Sequence, residues 1–157
     1  SNQKSVTVMY SKITLVLLFP LFLSSQIIIP NVGNGWKTKV QQAIEVIKKY
    51  DLHKYNVLTD ECKQIDFGLA SFATSDGKST IILPVEVLNR GCINDIAACL
   101  VHESLHIQFS KAGNRLDGDY EEVLCYKWEL DFLQKIPNVE KWLLTNAQYQ
   151  IGVYSVK

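Results

Sequence analysis

The stretch Cys99–Phe109, CLVHESLHIQF, places His102 and His106 four residues apart, and they are two of only three histidines in 157 residues. From Ile96 to Ser110 there is no Lys, Arg or Asp. Apart from the Cys99 thiol, the ionisable groups there are His102, Glu103 and His106. At about 100° per residue the two imidazoles fall about 40° apart on one helix face, one turn from each other. Two imidazoles so placed can hold one metal ion through ring nitrogens. Glu103 projects about 100° to the side of His102, too divergent to share the ion but able to reach a water on it. This is the H-E-x-x-H arrangement of two ligands and a general base. Three fixed positions recur by chance, and the bland alternative is two satisfied core histidines and a surface glutamate. The surroundings argue against it. Ile96, Leu100, Leu105, Ile107 and Phe109 spread around most of the helix, and burying ionisable side chains is costly unless they are paired or metal-bound.

A zinc ion needs a third protein ligand. The next helical segment offers Glu121, Glu122 and Glu129. Lys127, Asp131, Gln134 and Lys135 cluster on one side of its wheel, which faces solvent. Glu122 and Glu129 point the opposite way, among Cys125, Tyr126, Phe132, Leu133 and Ile136. Glu122 is therefore the expected third ligand. Glu121 points to the margin and is the alternative. Glu122 also has the spacing of a capping box with Asp119. Glu129 lies two turns further on and fits a pairing with a lysine or a buried backbone group.

These residues need elements to hold them. WKTKVQQAIEVIKKY reads as a helix with Val40, Ala43, Ile44 and Ile47 on one stripe. Asp51 to Thr59 is mixed and admits a short strand, YNVL. QIDFGLASFATSDGKSTIILP reads as a β-hairpin about Ser75-Asp76-Gly77, with Pro84 closing the second strand. Its edge is expected to lie exposed beside His102, open to a peptide adding as a strand. Asn94 or Asp95 can cap the histidine helix, and Ala112-Gly113 stops it. Asp119 can cap a helix from Tyr120 to about Lys135, ended by Pro137, with a last short helix over EKWLLTNAQYQIG. The order of helix, hairpin, helix and helix predicts a small α+β domain.

VHESLH, followed sixteen residues later by EVLCYKWELDFL, resembles the zincin metallopeptidases of the gluzincin type. It is closest in pattern to small members whose second motif reads E-x-x-A-Y. The resemblance covers roughly residues 65 to 136, by motif order and spacing. It implies a minimal zincin-like domain, with a small antiparallel sheet or hairpin packed on the two ligand-bearing helices. It also implies zinc on His102, His106 and Glu122, Glu103 as catalytic base, and peptide-bond hydrolysis. Ser104 stands where most members carry a large apolar residue, and Cys125 replaces the usual Ala; neither removes a ligand. Tyr126, Tyr120 and Arg115 are candidate donors to the developing oxyanion, and plain core packing is the stronger expectation for Tyr126. The alternative function is a zincin-like module that binds zinc or a partner without cleaving. The intact Glu103 argues against it.

Composition narrows the rest. Lys plus Arg equals Asp plus Glu at 16 each, so no charge field argues for nucleic acid. Function must come from a local site, and the resemblance to zincins implies a peptide or protein as its substrate. Residues 13 to 30 carry no charge and follow Lys4 and Lys12. They read as a signal peptide or as a membrane anchor over Ile13–Ile29, which makes the chain secreted or membrane-anchored, with an extracytoplasmic domain favoured. The expected divisions are residues 1–30 for that segment, 31–35 for a linker, NVGNG, and 36–157 for the catalytic domain. Cys62, Cys92, Cys99 and Cys125 allow three disulfide connectivities. Cys99 and Cys125 are expected to face each other one turn from the metal, as a reduced contact in preference to a bond.

Overall fold

The computed structural model describes residues 26–32, 35–69, 73–90, 92–114 and 116–156. Helix α1 spans Trp36–Tyr50 and buries Val40, Ala43 and Ile47 along the anticipated stripe. Helix α2 spans Leu52–Glu61, where a strand over YNVL had been admitted. Local chemistry decides this. The Asp51 carboxylate caps the first turn by accepting from the Lys54 backbone N–H at 3.1 Å, and burial of Val57 and Leu58 on the helix face overrides the β preference of Val57.

The sheet is small and mixed, in the order β1-β3-β2. Strand β1 (Gln64–Gly68) runs parallel to β3 (Thr80–Pro84), and β2 (Thr74–Ser75) pairs antiparallel on the other side. The hairpin at Asp76-Gly77 is therefore present but short, and the upstream run that should have formed its first strand crosses to the far side of β3. The reason is burial: Ile81 and Leu83 of β3 are fully enclosed, so the most apolar strand takes the centre. The turn is set by Asp76, whose Oδ1 accepts from the N–H groups of Lys78, Ser79 and Thr80 at 2.8 to 2.9 Å. Gly77 has φ +66°, and a Cβ there would stand 3.0 Å from Ser110 Oγ. The hairpin tip thus sits tightly on the end of the histidine helix.

On the outer side of β1, Ile28 bridges to Gln64, with hydrogen bonds Ile28 N to Lys63 O and Ile65 N to Ile28 O, each 2.9 Å. Ile27 and Ile29 pack against the core. These three isoleucines belong to the globular unit, although the sequence reading gave them to the N-terminal segment. That segment up to Ser25 lies outside the described residues. Among the described residues no helix is long and apolar enough to cross a membrane.

After β3 comes a short helix, α3 (Val85–Arg90), then the central helix α4 (Ile93–Lys111). Its N-cap is Cys92 rather than Asn94 or Asp95, and no side chain caps it. Asn94 instead donates to Glu140 Oε2 at 2.8 Å. Gly113, at φ +69°, follows its C-terminus. Helix α4 touches α1, α2, α3, α5, β2 and β3, which explains why eleven of its nineteen residues are buried. Helix α5 (Gly118–Leu133) is capped by Asp117, not Asp119, and α6 (Lys141–Ser155) packs along it. The architecture is α+β, with α4 as its axis.

Candidate metal centre

Helix α4 presents His102 and His106 one turn apart, as their spacing required. Their Nε2 atoms stand 3.2 Å from each other. Helix α5 runs antiparallel to α4, so that residues 121 and 122 meet His106 while residue 129 meets His102. Glu122 reaches between the rings: Oε2 is 3.3 Å from His102 Nε2, and Oε1 is 3.5 Å from His106 Nε2. The outer nitrogens are held as well. His102 Nδ1 meets Glu129 Oε2 at 3.1 Å, and His106 Nδ1 meets Glu121 Oε1 at 2.6 Å. With each Nδ1–H donating to a carboxylate, both Nε2 lone pairs turn toward Glu122.

This donor set fits a small divalent ion. Bonds of about 2.0 to 2.1 Å in a tetrahedral zinc site separate ligand atoms by about 3.3 to 3.4 Å; the two Nε2 atoms stand 3.2 Å apart, and Glu122 sets one oxygen 3.3 Å from His102 and the other 3.5 Å from His106. Two Nε2 lone pairs and a carboxylate at such distances repel unless a cation lies among them. In the metal-free protein that cation is a proton. Burial works against an imidazolium at His102, yet Glu122 and Glu129 more than offset it and raise its pKa to about 9. Burial likewise opposes ionisation of Glu122, but the two histidines hold it down at about 2.

Glu103 is buried, at 6% exposure, and lines the cleft beside the imidazoles. The carboxylates that touch the rings are those of Glu121, Glu122 and Glu129, so Glu103 stands apart from the donor set, as the helical geometry required. Burial raises its pKa. Glu121 is not placed as a metal ligand: its carboxylate is engaged with His106 Nδ1. Capping does not account for Glu122 either, because Asp117 caps α5.

Cys125 brings its Sγ within 4.8 Å of a nitrogen on each histidine. Glu122 is held ionised by the two histidines, whereas burial and the surrounding carboxylates push the Cys125 thiol up and keep it neutral. All four cysteines are free thiols. Tyr126 sets its ring 4.4 Å from the His102 ring, edge to face, and stacks on Tyr154 at 6.0 Å. That is the packing role expected for it. Tyr120 is exposed and is not among the residues lining the cleft, and Arg115 lies outside the described residues. Ser104, fully buried, donates its hydroxyl to Val101 O at 2.8 Å, so the polar substitution leaves no unsatisfied group.

A cleft of about 1060 Å³ opens over these residues. Its floor is α4, and one wall is formed by Thr74, Ser75 and the turn after them. The opposite wall comes from α5 and α6. Strand β2 has β3 as its partner on one side, and it is the edge strand of the sheet at the cleft. Sequence reasoning missed three contributors. Glu129 was expected to pair with a lysine or a buried backbone group; it meets His102 Nδ1 instead. Glu121 was placed at the margin, which is where it reaches Nδ1 of His106. Asn146, Gln150 and Tyr154, four residues apart on α6, form a polar stripe that lines the cleft; that periodicity was visible in the sequence. No known family, curated protein or solved structure matches the chain.

Proposed function

We propose that the chain is a zinc-dependent peptidase, with His102, His106 and Glu122 as metal ligands and Glu103 as general base. One observation carries the reading: two imidazole nitrogens 3.2 Å apart converge on the Glu122 carboxylate, whose two oxygens lie 3.3 and 3.5 Å from one ring each, while both histidines are oriented from behind by separate carboxylates. The resemblance of VHESLH and its downstream glutamate to gluzincin-type zincins supports the same assignment.

Bound zinc would polarise a water and the scissile carbonyl. Glu103, beside the imidazoles, takes a proton on its carboxylate and returns it to the leaving amine. Burial raises its pKa, the direction that suits a general base. Thr74 and Ser75 offer backbone groups at the sheet edge, against which a peptide substrate adds as a strand. Because Ile27–Ile29 are committed to the domain, the apolar stretch left before them is short for a membrane span. A secretory leader therefore suits it better than an anchor.

The second reading is a zinc-binding module that does not cleave. Cys125 favours it, since its thiolate could close the position that water needs. Glu103→Gln separates the two. The variant should retain zinc by metal analysis and lose hydrolysis of an unfolded protein by about 10²- to 10⁴-fold. Cleavage at the wild-type rate would remove Glu103 from the mechanism, and a zinc-loaded wild type that cleaves nothing would favour the binding module.

A further inference from the structure

Asp95 lies seven residues before His102 on α4, on the same face and about 10.5 Å along the axis. It is 7% exposed and lines the same cleft. Its buried Oδ2 accepts no hydrogen bond of good geometry among the described residues, and its charge is met by a single ion pair. One cation stands near it. Arg90 Nη2, from the end of α3, is 3.2 Å away as an ion pair, with half of the Arg90 side chain in solvent. The same guanidinium lies 5.9 Å from the ring of Trp142 on α6, which is 47% exposed and also lines the cleft. Val87, Ala98 and Leu143 complete an apolar wall around them.

We propose that Asp95 and Trp142 form a subsite for a basic side chain, lysine or arginine, of the peptide substrate, one or two residues from the bond that is cleaved. Arg90 shows how a guanidinium is held there: carboxylate at its edge, indole at its face. With half of its side chain in solvent, Arg90 is a placeholder that a substrate side chain can displace. The reach is sufficient. An extended peptide advances about 3.4 Å per residue, so one or two residue steps and a long side chain cover the distance from His102. The methylene stem would lie on Val87, Ala98 and Leu143 while the charge meets Asp95. Glu103, Glu121, Glu122 and Glu129 give the same cleft an acidic field that draws in cations.

The position relative to the scissile bond rests on the peptidase reading, but the cation subsite does not, and the test has an arm for each. In the first, agmatine is titrated into the zinc-free full chain while the indole N–H resonance of Trp142 is followed. Binding should be saturable, weaker by about 10- to 100-fold in Asp95→Asn, and tighter in Arg90→Ala, which removes the placeholder. In the second, the zinc-loaded chain is given two peptides that differ only by arginine or its neutral isostere citrulline at one position. The arginine peptide should have the higher kcat/KM by about tenfold or more, and Asp95→Asn should bring the ratio toward one. Agmatine binding indifferent to Asp95, or not tightened by Arg90→Ala, overturns the proposal, as does an arginine preference that survives in Asp95→Asn. Asp95-dependent agmatine binding with no peptide cleaved leaves the subsite standing and overturns the peptidase reading instead.

Discussion

Helix α5 carries ionisable residues into two charged clusters on opposite faces, and the two are built differently. On one face Lys54, which is 2% exposed, pairs with Asp51 and Asp131, and Lys135 bridges the same two carboxylates at 2.7 and 2.9 Å. Two lysines meet two aspartates, and Trp128 covers the Lys54 ammonium at 4.0 Å. Charge there is balanced within the chain. On the other face Glu121, Glu122 and Glu129 surround two imidazoles, with Glu103 beside them in the cleft. Even with both rings protonated, the three carboxylates that touch them, those of Glu121, Glu122 and Glu129, outnumber the positive charges. A cluster that balances itself ties α5 to the junction of α1 and α2 and needs nothing further. A cluster with surplus negative charge and converging lone pairs is arranged for a cation from outside.

The largest effect that sharpens this contrast should come from Lys54→Met. Breaking one side of a buried pair costs 3 to 5 kcal/mol, and about 3 kcal/mol is expected because Lys135 still reaches Asp51. Urea unfolding should show that loss, with zinc affinity unchanged. A matching fall in zinc affinity would mean that the two clusters are coupled through α5.

Zinc should act on the other face alone. At a hundredfold excess over its Kd it should stabilise the wild type by about 2.7 kcal/mol, and Glu122→Ala should abolish the effect. Thermal melts with and without zinc measure it. Equal stabilisation of Glu122→Ala would place the third ligand elsewhere, with Cys125 the next donor.

Acid should dismantle the balanced cluster at a separate pH. Burial would raise the pKa of Asp51, but Lys135 and Lys54 hold it at about 2, below its ordinary 3.8. A depressed carboxylate contributes stability that is full above the unfolded value and lost as pH falls through the folded one. About 2 kcal/mol should therefore disappear between about pH 4 and pH 2. Asp51→Asn should flatten that part of the curve. An unchanged curve would show that Asp51 is not the group responsible.

The smallest effects should come from the carboxylates behind the histidines. Glu129→Gln and Glu121→Gln keep a hydrogen-bonding group at Nδ1 but remove its charge. Each should weaken zinc by about tenfold, the low end for such partners. A competition assay with a chelator reads this directly. No change in either variant would reduce the two contacts to packing.

The helices bearing the ligands were legible because their signals are local. Four-residue spacing puts His102 and His106 on one face whatever surrounds them, and the wheel of α5 separates Glu122 from Lys127 without knowledge of the partner helix. Where the sequence misled, the deciding interaction was distant or competing. Asp51 converts YNVL from a plausible strand into a helix through a cap and a buried ion pair. Strand β1 leaves its expected hairpin partner because β3, as the most apolar strand, is buried between two neighbours. Asp117 caps α5 in place of Asp119, a two-residue shift in local hydrogen bonding.

The sequence by itself determined the type and spacing of the donors: two imidazoles one turn apart, a carboxylate beside them, and further carboxylates on the next helix. Periodicity is a property of the chain, so no folding partner was needed to read it. Tertiary structure decided which carboxylate does what. Only the antiparallel register of α4 and α5 sends Glu122 between the Nε2 atoms, Glu129 behind His102 and Glu121 behind His106. It also brings Arg90, Asp95 and Trp142 together from α3, α4 and α6. Helix packing fixes those distances, and no spacing along the chain encodes them.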